Sequence, residues 1–538
     1  MHVEKLLPYI FFTTTLMIGA LIFKDYGVGI DEYINRDNGI VSLNYILSLL
    51  ERYLSITIWA LDPQLNSNLP DLSTYKDRDY GVAFDLPAII IERILSLNSS
   101  REQYLLRHLL TYFTFWISTI YFYNLINNQF KSKAIALLAV LMLYLSPRIF
   151  AEAFYNNKDL VFLSIFLIAT YYLIEVFRKS SKINTLLFAI FSGLSIDLRI
   201  IAVILPGLFF LIVCLKLYNN IVSKKEALHH TLIYAVSCLV CILLFWPWLW
   251  ADPITNFLTA FQNMAKFRWL NWVLYRDHYY PSSDLPWHYL PIWILITTPP
   301  IYIALILVGQ IKCAFFVSTN KVKDILSTGN VSIFIMTVIC VAPISAAIIL
   351  KSTVYDAWRQ FYFIYPALLF FAALGTNLIF SWIRKIKLLK FCFILLLCFS
   401  QVSIIYWMVN AHPFQNVYFN SFAGPNWDQR YEVDYWGLSN GRGVEFILSD
   451  TTSDRIKIYG LGITSIPQAF SLLPAHQQQR LEVTTDINTA NYVLTNFRLA
   501  NNPNYISLLN HIESLYLTSF SIIVSGKPVL KIFRLPNP

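Results

Sequence analysis

Long apolar runs separated by short polar connections recur along most of the chain. A run long enough to cross ~30 Å of hydrocarbon reads as a membrane-spanning helix. About eleven are expected, near 6–23, 104–124, 134–147, 160–177, 183–198, 200–218, 229–249, 287–311, 331–350, 360–380 and 388–409. In "IDLRI", Asp197 and Arg199 split one apolar stretch into two of these runs. Between the first and second runs, "IVSLNYILSLLERYLSITIWAL" and "DLPAIIIERILSL" mix an apolar face with Glu and Arg, as helices lying in the membrane interface do. After Asn410 the pattern shortens to strand-like runs such as "IKIYGLG", "ANYVLTNF" and "SLYLTSFSIIVSGKPVLKIFRL", the last with a turn at Gly526-Lys527-Pro528, beside the helical "SIPQAFSLLPAHQQQRL".

The expected fold class is therefore an α-helical polytopic membrane protein with about 11 transmembrane helices. Residues 1–409 form its membrane domain, 24–103 a long first outer loop with interfacial helices, and 410–538 a soluble C-terminal α/β domain. The first run could be a signal segment, but "MIGALIFKD" is a poor cleavage context, so the run is expected to stay as an anchor.

Composition supports this reading: of 538 residues 56% are hydrophobic and 14% charged, and the mean hydropathy is +0.52. The net charge of +9 does not form one basic face, which excludes a nucleic-acid partner as the reason for it. Lys and Arg instead dominate alternate connections: "NNQFKSK", "FRKSSKIN", "KLYNNIVSKKEALHH", "KVKD" and "IRKIKLLK". By the positive-inside rule these are cytoplasmic, with the N-terminus, and the C-terminal domain lies outside. The seven cysteines lie in or beside apolar runs without metal or disulfide spacing and read as core.

The outer connections carry the unusual chemistry. Arg148, Lys158 with Asp159, Asp197 with Arg199, and Asp356 with Arg359 sit at or near helix ends, on the side that bears Asp31 and Glu32 in "YGVGIDEYINRDNG". One boundary cation is ordinary snorkelling. Several together beside carboxylates describe a cationic pocket with a base, because ionisable groups at membrane depth are costly. A carboxylate accepts the proton of an attacking hydroxyl, and Arg or Lys holds a phosphate leaving group. The alternative for Asp31 and Glu32 is that they cap an interfacial helix. Trp- and Tyr-rich stretches, "FWPWLW" among them, suit interfacial belts more than a sugar face. His278 and His412 are further candidates to position a hydroxyl or hold a cation. With no Gly-rich phosphate loop, the donor is not expected to be a free nucleotide sugar.

The strings "GIDEYINRDNG", "YGVAFDLPA", "SPRIFAEAFYNNKD", "PWHYLPIWILITTPP", "DAWRQFYFIYPALLFF", "HPFQNVYFNSFAG" and "RYEVDYWG" resemble GT-C superfamily glycosyltransferases, over most of residues 1–440. The branch is that of protein O-mannosyltransferases and lipid A aminoarabinose transferases, and the later strings resemble a bacterial subgroup. The resemblance implies a glycosyltransferase of the bacterial inner membrane that inverts the sugar transferred from a polyprenyl-phosphate donor to a hydroxyl acceptor on the periplasmic face. It implies that Asp31 is the base with Glu32 beside it. Asp85 falls near a second acidic motif, although the Glu-Lys-Pro of that motif is Asp85-Leu86-Pro87 here. Arg148, Lys158, Arg199 and Arg359 are the expected phosphate ligands, with Asp159 and Asp356 among the other site candidates. No cofactor is expected to be required, while a divalent cation on Asp31, Glu32 and Asp85 stays open. The competing readings are a transporter or flippase of lipid-linked sugars and a membrane scaffold presenting the C-terminal domain.

Overall fold

The computed structural model describes residues 2–54, 69–265, 267–327, 329–462, 464–498 and 503–536. The second half of the interfacial stretch at 40–61 falls partly outside these residues. Helix α1, His2–Ile22, leads through a short 3-10 turn into α2, Glu32–Leu54, which packs on α3, Asp85–Ile94. Over their described residues neither α2 nor α3 is long and apolar enough to cross a membrane.

The membrane body continues through α4 (Ser100–Phe130), α5 (Lys133–Tyr144), α6 (Pro147–Tyr155), α7 (Asp159–Lys179), α8 (Lys182–Leu198), α9 (Ile204–Tyr218), α10 (Lys224–Phe245) and α11 (Pro253–Ala265). Then follow α12 (Tyr289–Thr297), α13 (Pro300–Thr319), the short α14 (Val322–Ile325), α15 (Val331–Ile349), α16 (Tyr365–Ile383) and α17 (Lys387–Asn410). Among the described residues nine helices meet the length and apolarity of a span, ten with the α5–α6 pair, which bends by 66°. These nine to ten accord with the expected count of about eleven, and the difference lies in α8 and the α5–α6 pair. Helix α8 has 17 residues and α5 only 12, stopped by Ser146-Pro147, since proline removes an amide donor. The run at 287–311 is itself cut: Thr298 and Pro299 separate α12 from α13, and the span lies over Pro300–Thr319.

Helix α7 is the central post, packed against α4 and α8 and almost wholly buried. Helix α17, by contrast, exposes Leu388, Phe391, Leu395, Phe399, Val402 and Tyr406. Such a face is stable only in hydrocarbon, and the chain is a multi-pass membrane protein. Two of the aromatics expected at an interfacial belt are instead core: Trp246 and Trp358 are buried.

The C-terminal region is a mixed five-stranded sheet in the order β4-β3-β5-β7-β6, the hairpin β1–β2 (Trp272–Tyr275, His278–Pro281) lying earlier in the chain. Strands β3 (Ile456–Gly460), β4 (Leu481–Thr484) and β5 (Tyr492–Thr495) run parallel; β6 (Thr518–Val524) and β7 (Lys527–Arg534) are antiparallel. Side chains alternate between faces along a strand. Leu494 and Ile532 therefore pack with Val444 and Ile447 of the helix Ser439–Asp450, whereas Val493 and Phe533 pack with Leu509 and Ile512 of the helix Pro503–Leu515. The expected α/β unit is a three-layer one. Its β6–β7 turn falls on Ser525 and Gly526, both at positive φ, the twist a two-residue hairpin needs.

Candidate active site

The chain leaves α1 and enters α2 at Asp31-Glu32, and the two carboxylates part company there. Glu32 accepts the Gly29 amide at 2.6 Å and faces His108 Nε2 at 3.1 Å, buried at 1% exposure. It ties back the turn that leads into α2, whose Gly29 carbonyl accepts the Glu32 amide at 3.1 Å. Asp31, one residue earlier and turned by about 100° around the helix axis, reaches Arg359 Nη2 at 2.9 Å.

Arg359 is the hub. It follows Asp356 and Ala357, both at positive φ, where the chain turns sharply before α16. Non-glycine residues rarely adopt that conformation unless the surroundings hold them in it. Its guanidinium meets Asp159 at 3.1 Å and Asp356 at 3.0 Å and lies between the rings of Trp436 and Tyr355, at 4.6 and 5.1 Å. Asp159 also pairs with Arg199. The side chain of Asn156 fixes Asp159 in place, accepting its amide at 2.8 Å and donating to its carboxylate at 3.2 Å. On the far side of Asp356, Arg498 of the C-terminal domain binds the other carboxylate oxygen at 2.6 Å.

These groups open onto a cavity of about 700 Å³. Asp31, Lys158, Arg199, Asp356, Arg359 and Arg498 line it, together with apolar side chains of α9 (Ile204), α11 (Phe261, Met264) and α15 (Pro343, Ala346). A hydrophobic wall beside a cluster of cations suits an amphiphile with an anionic head. Lys158 differs from the other cations. Its ammonium sits over the Tyr80 ring, 3.0 Å from the centroid, and among the described residues it has no carboxylate within ion-pair distance. Burial, then the Arg199 charge, pushes its pKa down to about 7, against the pull of Asp159, Asp85 and Asp31.

Five of the expected site residues thus line one cavity: Asp31, Lys158, Arg199, Asp356 and Arg359, with Asp159 directly behind, joining the two arginines. The others lie elsewhere, which corrects their assignment by position alone. Glu32 is turned into the core. Arg148 is 2% exposed, donates Nε to the Tyr418 carbonyl at 3.0 Å and lies over Phe419 and Trp293, away from the cavity lining. His278 is exposed on β2. His412 pairs with Asp25 at 3.0 Å. Asp85 is a support: Arg107 binds it at 2.8 Å, and Asn157 links it at 3.5 Å to Asn35, which lines the cavity. Burial, the largest influence, raises the Asp85 pKa despite Arg107.

Several lining residues escaped the sequence reading. Tyr80 lies in the quoted string "YGVAFDLPA", a usable signal. Arg268, which pairs with Asp77 at 2.6 Å and Asp79 at 3.1 Å, and Arg498 carried none. Asp31, Glu32 and Asp85 do not converge: each carboxylate is engaged by a different partner, Arg359, His108 and Arg107. Among the described residues no group of three His, Cys, Asp or Glu is arranged to hold a metal ion.

The fold is similar to that of ArnT, the lipid A aminoarabinose transferase. The apo crystal structure of ArnT from Cupriavidus metallidurans aligns over 97% of both chains at 12% identity, with a TM-score of 0.52. The structure of that protein bound to undecaprenyl phosphate aligns over 98% of both chains at 12% identity, with a TM-score of 0.49. No family model and no curated protein matches the sequence.

Proposed function

We propose that the protein is an inverting glycosyltransferase that moves a sugar from a polyprenyl phosphate to a hydroxyl acceptor at the outer face of the inner membrane. One observation carries this reading: the Asp31 carboxylate lies 2.9 Å from Arg359 in a cavity that Lys158 and Arg199 also line. The ArnT-like fold supports it at the level of architecture. Lys158, Arg199 and Arg359 bind the donor phosphate, and the apolar wall takes the first part of the prenyl chain. Asp31, a third exposed, is open to the cavity and accepts the acceptor's proton. The acceptor oxygen attacks the anomeric carbon from the face opposite the phosphate; the new C–O bond forms as the bond from that carbon to the phosphate oxygen breaks. Polyprenyl phosphate leaves as an anion, so no acid partner is needed, and the configuration inverts.

The phosphate also competes for Arg359, which holds Asp31 in the free protein. Donor binding and exposure of the base are thereby coupled through one guanidinium. The test is Asp31→Asn in purified protein supplied with a polyprenyl-phosphate sugar and acceptor extract. Transfer is expected to fall by about 10³-fold or more, as for loss of an essential base, with undecaprenyl phosphate binding retained. Undiminished transfer by Asp31→Asn refutes the assignment.

A further inference from the structure

The C-terminal domain is a separate sheet unit, yet one of its side chains stands in the cavity wall. Arg498 follows β5, the central strand. Asn496 donates to the Asp434 carbonyl at 3.1 Å, Phe497 turns the chain at positive φ, and Arg498 projects into the membrane domain at 8% exposure. One arm of its guanidinium donates to the Tyr435 carbonyl at 2.6 Å, and the other holds Asp356 at 2.6 Å. Its Nε is buried and has no partner among the described residues.

The charges around the cavity show what this arm does. Asp31, Asp159 and Asp356 form one network with Arg199, Arg359 and Arg498, three carboxylates against three guanidiniums. Without Arg498 this network holds three carboxylates against two guanidiniums, and Asp356, 3% exposed, keeps Arg359 as its one ion-pair partner among the described residues. A buried carboxylate short of a partner draws harder on the one that remains. That partner, Arg359, is also the guanidinium an incoming phosphate must engage.

We propose that the C-terminal domain completes the donor site: Arg498 neutralises Asp356, which frees Arg359 for the lipid phosphate, so that the anion pocket exists only when this domain is docked. Arg498 is a positioning residue in this scheme. The inference rests on the donor reading above and adds to it a reason for the domain to be attached.

Undecaprenyl phosphate affinity of the full-length protein in nanodiscs tests it. Arg498→Ala is expected to weaken binding about tenfold or more, the scale of one charge-assisted hydrogen bond. Arg498→Lys keeps the charge and most of the affinity, and serves where the alanine variant does not accumulate. Adding Asp356→Asn to Arg498→Ala is expected to restore binding, because the uncompensated carboxylate is gone; a merely structural loss is not rescued this way. Ser525→Ala is the control. It removes a docking contact outside the cavity, the 2.9 Å bond from Trp407 Nε1, and is expected to bind like the parent. Parental affinity in Arg498→Ala overturns the proposal while leaving the donor reading intact. Equal weakening by Arg498→Ala and Ser525→Ala, or no rescue by Asp356→Asn, reduces Arg498 to a docking contact and overturns it as well. If undecaprenyl phosphate does not bind the parent protein, the donor reading falls and this inference with it.

Discussion

At the scale of single residues, the cations of the cavity differ in how their charge responds to pH. A guanidinium is charged at any working pH, whereas burial, then the Arg199 charge, brings Lys158 to about 7. Its neutral form cannot pair with a phosphate. In the free protein the binding-competent, protonated form is lost as pH rises through 7, so donor binding must take up a proton above that point. The affinity of the parent for undecaprenyl phosphate is therefore expected to fall by up to about tenfold per pH unit above about pH 7, where the phosphate has already lost its second proton, of pKa about 6. In Lys158→Arg the profile is expected to flatten between about pH 7 and 9, as measured by titration in nanodiscs; an unchanged slope would remove Lys158 from the phosphate site. Lys158 was legible in the sequence because a cation at a helix start in an apolar chain is costly. Arg148 gave the same signal and lies elsewhere, because the signal reports burial of a charge and not its direction. Arg148 meets aromatic faces and a carbonyl that no local pattern encodes.

At the scale of elements, the site depends on helices that hold their separation. Helices α13 and α16 approach through Gly309 and Gly375. A Cβ at Gly375 would fall on the Leu305 carbonyl, and one at Gly309 on that of Phe371, both backbone groups that cannot swing aside. Small residues permit this close packing in membranes, where no hydrophobic force draws helices together. Gly375→Ala is expected to destabilise the protein by about 1–3 kcal/mol, as overpacking does, seen as a lower melting temperature in detergent. Gly207, with nothing near its would-be Cβ, is the matched site where alanine has no such effect. Most of these elements were readable from apolar run length, since a span needs a minimum number of residues. The differences have local causes: Ser146-Pro147 bends α5 into α6, and Thr298-Pro299 divides α12 from α13. An apolar count does not see a missing amide.

At the scale of the whole molecule, the split of the site across the chain explains what the sequence could not reveal. Asp31, Asp159, Arg359 and Arg498 come from four distant segments, and Arg498 and Asp356 are 142 residues apart. Convergence at one end of the bundle followed from the alternation of connections; the pairing of partners within that end depended on tertiary contacts alone. The alternation itself predicts a topology. The basic connections at 131–133, 179–182, 216–225, 321–323 and 384–390 contribute nothing to the cavity lining, while the connections between them do. Lys and Arg resist translocation in short loops, so these connections are expected in the cytoplasm. The cavity and the sheet domain, reached by an opposite set of helix ends, are then expected to face outward. An alkaline phosphatase reporter fused after Pro538 is expected to be active in a bacterial host, whereas one placed between Lys224 and Lys225 is expected to be inactive. A reporter active at Lys224–Lys225 and silent after Pro538 would put Asp31 in the cytosol. It would set the base against the supply of lipid-linked donor on the outer leaflet and overturn the proposed reaction at its outer face.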